Sequence, residues 1–290
     1  MTRPVETRSD LSNLLARSEM ENPANLLVLG YDPDQWAAHA IREVYSTYGD
    51  IVDVKPKSLL KFGENLLAGT SESTIMTLPT GVLSETYVST NIIDTLSSSE
   101  AGDTQDYTVE GNTISGGVFT FVAQTVTANG QSKVTLSTPL ARCTRIANIG
   151  ATNTAGAISV YEDTAITAGV PDDGAKVHCI LPGGENQTEK ASTTISDSDY
   201  AFITTIYAGL NKKTAGSAVI RLRVRTAGGV FRTLFKRAVN SLGPDLTLEF
   251  RPYLIIPQNS DVMITAEADS ASTAVSGGFN SLLAKVRKDN

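Results

Sequence analysis

The sequence predicts a mainly β protein: an antiparallel β-sandwich or barrel preceded by a short helical N-terminal arm. Three observations lead there. Ser and Thr supply about 60 of the 290 residues, with Thr the commoner, and a β-branched side chain packs better on a pleated strand than on a helix. Beyond residue 57, roughly ten short apolar runs follow one another between turn signals. No long helical pattern separates these runs, as a parallel α/β sheet would require.

The arm covers residues 1–57. Asp10 caps a first helix that runs to Met20 with Leu11, Leu14 and Leu15 on one stripe, and Asn22-Pro23 ends it. Leu26 to Leu29 form a short apolar run. A second helix starts at Asp32 as N-cap, with Pro33 in the first helical position and Gln35 at the capping-box site. Ala37, Ile41, Val44, Tyr45 and Tyr48 then recur at helical spacing, flanked by Trp36, the only tryptophan, and Gly49 stops the run. Two short helices bury too little surface to fold alone. The arm is therefore expected to pack on its own domain or on a neighbouring subunit, with Leu14, Leu15, Trp36, Ile41 and Tyr45 as contact candidates.

The composition changes at Lys55-Pro56, and residues 58–290 read as one β domain. Leu59 to Leu67 suggest one helical turn, and 69–106 read as extended chain with loops. Val118 to Val126 and Lys133 to Ser137 flank Asn129-Gly130, the strongest hairpin signal in the chain. Strands are then expected at Arg145 to Ile149, Ala157 to Tyr161, Lys176 to Leu181 and Tyr200 to Ala208. Ala218 to Arg225 and Val230 to Val239 form a second hairpin through Thr226-Ala227-Gly228-Gly229, followed by strands at Leu246 to Phe250 and Val262 to Ala268. Leu282 to Lys288 read as a short basic tail.

Composition excludes several classes of function. The net charge of −7 argues against a dedicated nucleic-acid binder. No apolar run is long enough to span a membrane, and polar Met1 to Asp10 give no sign of a secretory leader. Cys143 and Cys179 read as buried free thiols, with no zinc-ligand spacing and no disulfide framework. The two histidines are His39 in the arm and His178 beside Cys179. Neighbours on a strand point to opposite faces, so His178 and Cys179 do not form a dyad. Asp103 and Asp106, Asp172 and Asp173, and Asp197 and Asp199 are loop carboxylates without EF-hand spacing, and read as turn residues. Asn186-Gln187-Thr188 matches a glycosylation acceptor that has no meaning without a leader. The expectation is no catalytic residue, no metal and no cofactor.

One charged pattern stands out. Arg221, Arg223 and Arg225 alternate with Leu222 and Val224, which places three guanidiniums on one face of a strand. Arg232, Lys236 and Arg237 on the next strand extend the patch. It reads either as a dock for an acidic protein surface or phosphate, or as the solvent face of an amphipathic strand.

Several stretches, taken in order, resemble a β-rich virion structural protein of tailed bacteriophages. They are Lys61-Phe62-Gly63-Glu64-Asn65, then Ser97-Ser98-Ser99 leading to Asp103-Thr104, then Tyr107-Thr108-Val109-Glu110-Gly111. Thr125-Val126-Thr127-Ala128-Asn129-Gly130 and Arg145-Ile146-Ala147-Asn148-Ile149-Gly150 follow, the latter running on to Gly156-Ala157-Ile158-Ser159-Val160. The similarity spans about residues 58–240. It implies a jelly-roll-like sandwich attached to the capsid or the tail, made in the host cytoplasm and assembled as a homotrimer, with the major capsid protein or other virion proteins as partners. The expected function is a capsid decoration or cement protein that clamps neighbouring shell subunits by arm and β-domain contacts. Two other classes stay open. One is a tail- or neck-associated protein that binds glycan through Tyr161, Tyr200, Tyr207 and Tyr253, and the other is a glycan-cleaving enzyme on the same scaffold.

Overall fold

The computed structural model describes residues 57–211, 216–241, 243, 245–270 and 273–285. The helices and apolar contact residues expected in the arm, including Leu14, Leu15, Trp36, Ile41 and Tyr45, lie outside these residues. Among the described residues the regular structure is strand, apart from one 3-10 turn at Gly174–Lys176, and no helix is long and apolar enough to cross a membrane. The expected antiparallel β class holds.

The chain starts with β1 (Lys57–Ala68) and β2 (Ser73–Thr74). It continues through β3 (Ile93–Ser98), β4 (Asp106–Ser115), β5 (Val118–Thr127), β6 (Val134–Leu140) and β7 (Arg142–Asn148). Next come β8 (Ile158–Glu162), β9 (Ile166–Thr167), β10 (Val170–Pro171) and β11 (Val177–Leu181). The last group is β12 (Ser192–Ile195), β13 (Asp199–Asn211), β14 (Ser217–Thr226), β15 (Arg232–Asn240), β16 (Asp245–Ile256), β17 (Ser260–Ala268) and β18 (Thr273–Lys285).

Lys57–Leu283 form one compact unit that holds two hydrophobic cores, not one. The outer sandwich packs the sheet β1-β18-β13-β16 on the sheet β12-β17-β14-β15, around Ile203, Ile206, Ile220, Leu222, Ile264 and Phe279. The inserted sandwich packs β11-β8-β3-β6 on β5-β4-β7, around Leu96, Val109, Leu140, Ile146 and Val160. The chain leaves the outer sandwich after β2 and re-enters it at β12. Two connecting segments, 75–92 and 182–191, therefore run along the seam between the two.

Alternation explains the core strands. On β14, Ala218, Ile220, Leu222 and Val224 are buried while the residues between them are not, the period-2 signature of a strand with one core face. The β14–β15 hairpin forms as expected, pairing Ser217 with Asn240 and Val224 with Arg232.

Three sequence expectations are corrected. Leu59 to Leu67 belong to β1, not to a helical turn, because the segment pairs antiparallel with β18. Leu282 and Leu283 are part of β18, where they pair with Ser58 and Lys57, and not of a free tail. Asn129-Gly130 does turn the chain, with Ser132 N–H donating to the Asn129 carbonyl at 3.0 Å. The strands on either side of that turn nevertheless go to different sheets, β5 pairing with β4 and β6 with β3. The true two-residue hairpin is β4–β5, closed by Gly116-Gly117 with φ of 58° and 81°, a backbone shape that glycine adopts without strain.

Gly111 lies where β4 crosses β7. A Cβ there would collide with the Arg142 carbonyl oxygen and come within 2.8 Å of the Leu140 side chain. Gly111→Ala is expected to destabilise the protein by about 2–4 kcal/mol, read as a lowered midpoint in urea denaturation. A glycine in an open turn, Gly184, has nothing within 4 Å of its added Cβ but a φ of 85°, so its alanine variant tests backbone strain alone.

Candidate functional site

The chemistry-bearing side chains concentrate along the seam, at the start of β7. Arg142, Cys143 and Thr144 are consecutive there, and each is reached by a charged group from outside the inserted sandwich.

Arg142 makes the first bridge. Its side chain is 5% exposed and forms a bidentate pair with Asp261 of β17, Nε to Oδ1 at 2.9 Å and Nη2 to Oδ2 at 3.1 Å. Asp261 is fully buried and also accepts from Arg225 Nε at 2.9 Å and from Thr194 Oγ1 at 2.7 Å. One carboxylate thus binds two guanidiniums and a hydroxyl, so that its lone pairs are satisfied in the dry interior. Both guanidiniums lie over the Tyr87 ring, Arg142 at 4.9 Å and Arg225 at 4.5 Å from its centre. Arg142 also lies over Phe119 at 5.0 Å, and Arg225 over Phe231 at 4.5 Å. These π-faces take the charge that is left over once two cations share one anion.

Lys190 makes the second bridge. Its ammonium uses all three protons, toward Glu85 Oε1 at 2.6 Å, the Cys143 carbonyl at 2.7 Å and the His178 carbonyl at 3.0 Å. The other Glu85 oxygen accepts from Ser192 Oγ at 2.7 Å. Burial pulls the Lys190 pKa down, but Glu85 together with the Cys179 and Cys143 sulfurs leaves it above the usual lysine value.

Lys61 of β1 makes the third, donating to the Thr144 carbonyl at 2.9 Å. It is buried with that one acceptor and no carboxylate in contact. Burial therefore wins, with Lys190 nearby adding repulsion, and its pKa falls to about 8. The two lysines show how the partner, not depth, decides the sign of the shift.

The sequence candidates fall around this seam. Arg221 pairs with Glu267 at 2.5 Å and approaches Glu72 at 3.8 Å, Arg223 pairs with Glu72 by two contacts, and Arg225 pairs with Asp261. All three guanidiniums share one face of β14, and each is engaged by a carboxylate of the same chain. Burial works against the Glu72 carboxylate, yet hydrogen bonds from Arg223 and Thr265 hold its pKa below the usual value. His178 and Cys179 do point apart. Cys179 enters the core of the inserted sandwich, while the His178 ring meets the Thr86 carbonyl at 3.1 Å and Glu162 at 3.0 Å. Cys143 and Cys179 are buried and unbridged, and burial pushes the Cys143 thiol well up.

Asp103 is buried, unlike an open turn residue. It accepts from Ser98 Oγ at 2.6 Å and from the Ala155 and Gly156 amides at 2.8 and 2.9 Å. Burial raises its pKa, but these donors together bring it below the usual carboxylate value. Among the described residues no cluster of three His, Cys, Asp or Glu is arranged to hold a metal. Of the tyrosines considered for sugar, Tyr161 is buried with its hydroxyl 3.0 Å from Ser97 Oγ, and Tyr207 donates to the Lys61 carbonyl at 3.2 Å. The residues that sequence reasoning missed are Lys61, Glu85, Tyr87, Arg142, Lys190 and Asp261. Lys61 alone carries a local signal, a lone charge between apolar neighbours in Leu60-Lys61-Phe62.

No protein-family model and no curated protein matches the chain. Among solved structures the chain is similar to that of infectious bursal disease virus Gt strain, at 11% identity over 85% of this chain and 78% of that chain, with a TM-score of 0.20. It is also similar to the VP2 subviral particle of infectious bursal disease virus, at 12% identity over 85% of this chain and 77% of that chain, with a TM-score of 0.22. A likeness this loose carries no part of the functional reading.

The depressed pKa of Lys61 sets a pH dependence with a definite sign. Between about 8 and 10.5 the unfolded chain keeps this proton while the folded chain has lost it, so this group makes stability rise with pH across that window. Relative to Lys61→Met, the wild-type protein is expected to gain stability in urea denaturation as the pH goes from 8 to 10. A constant difference between the two would contradict the assignment.

Proposed function

We propose that the chain is a structural protein of a phage particle, a decoration or cement protein that binds the capsid surface and stabilises the shell. The arm and the β domain make the contacts, and the protein acts as a homotrimer beside the major capsid protein or other virion proteins. The ordered sequence pattern over residues 58–240 supports this reading, and so does the β-rich build of the described residues.

The observation that carries it is the use made of the charged side chains at the seam. Three buried cations brace the two sandwiches against each other: Arg142 on Asp261, Lys190 on Glu85, and Lys61 on the Thr144 carbonyl. Buried, bidentate and multiply donated contacts are short and directional, so they resist sliding better than an apolar interface does. A stiff two-sandwich body passes load from one neighbour to the next. Many weak contacts, each repeated by symmetry, then add up to a reinforced shell.

Antibody-gold labelling of intact purified virions, read by electron microscopy, tests the proposal. Label spread over the whole shell is expected. Label confined to one vertex would overturn the decoration role in favour of a neck or tail component.

A further inference from the structure

The two basic strands of the β14–β15 hairpin part company in the structure. The arginines of β14 are neutralised within the chain, but Arg232, Lys236 and Arg237 of β15 are exposed and make no ion pair or hydrogen bond among the described residues. They sit on the last strand of its sheet. No strand among the described residues pairs with the outer edge of β15, and among those residues its outward amides and carbonyls have the geometry to take a further strand.

We infer that this edge binds an extended acidic segment of a partner protein by adding it as a further β-strand. Register gives the pattern such a segment needs. Arg232, Phe235 and Arg237 pair with Val224, Leu222 and Ile220, which share one face of β14. The three therefore share that face, with Leu234 (46% exposed) standing out at the irregularity between them. Phe235 is backed by Phe250, ring centres 6.1 Å apart and nearly perpendicular. An incoming strand with an acid, an apolar residue and an acid at alternate positions places its carboxylates on Arg232 and Arg237 and its apolar side chain on Phe235.

The same charges exclude a second copy as occupant. Two β15 edges in antiparallel pairing bring like cations together, which is destabilising. The other long edges offer no matching run of acids: β5 and β6 carry no charged residue, β7 carries two arginines, β1 carries two lysines and one glutamate, and β16 mixes Asp245 and Glu249 with Arg251.

The test is titration of the full chain with the peptide Thr-Glu-Thr-Val-Thr-Glu-Thr, beside a control of equal charge with proline for valine. Saturable binding of the first and not the second is expected, with shifts of the β15 amide resonances. Arg232→Glu with Arg237→Glu should weaken binding by about tenfold or more at an unchanged melting temperature, and should gain affinity for the peptide with lysine for glutamate. Equal binding of both peptides would reduce the site to diffuse attraction of anions. No saturable binding, or dimerisation through β15, would equally overturn the proposal.

Discussion

Asp261 is the charge on which the two-sandwich arrangement turns. A fully buried carboxylate is costly unless its lone pairs are filled and its charge is balanced. Here Arg142 comes from the inserted sandwich, while Arg225 and Thr194 come from the outer one. Neither sandwich can bury this anion well alone, since each holds only part of what surrounds it. The cost of desolvation is thereby turned into a preference for one relative placement. Lys190 with Glu85, and Lys61 with the Thr144 carbonyl, repeat the device along β7.

This arrangement shapes what the molecule can do. Among the described residues, the acids, bases and thiols of the seam are engaged in structure. Arg142 and Lys190 donate to protein oxygens, His178 is held between a carbonyl and a carboxylate, and both thiols lie in the inserted core. The outside of the outer sandwich is different in kind. Its edge strand β15 keeps Arg232, Lys236 and Arg237 exposed and unpaired among the described residues, beside the half-buried Phe235 ring, a composition suited to recognition by main chain and charge together. A braced interior and an open, charged edge fit a protein that works by holding its neighbours.

How much of this was legible in the sequence depended on the distance over which each feature is decided. Ala218 to Arg225 alternates within eight residues, so both the strand and the facing of its arginines could be read directly. The hairpin through Gly228 is equally local. Asn129-Gly130 marks a reversal of the chain correctly, but turn chemistry does not choose the partner strand, and the core sent β5 and β6 to different sheets. Leu59 to Leu67 was misread because leucines at that spacing suit a helix as well as a strand, and the deciding partner, β18, lies at the far end of the chain. The seam was hardest to see. Arg142 and Asp261 are 119 positions apart, and Glu85 and Lys190 are 105 apart, so nothing local links acid to base.

Hydrogen–deuterium exchange on the full chain tests the bracing most directly. Core amides of β8, in the inserted sandwich, and of β14, in the outer one, are expected to exchange through one global opening with the same free energy. Asp261→Asn removes the shared charge and leaves two buried guanidiniums underpaired, which should lower both values together by about 3–5 kcal/mol. Exchange of β8 well ahead of β14 in the wild-type protein, or no effect of Asp261→Asn on either, would show that the sandwiches fold independently and would contradict the account.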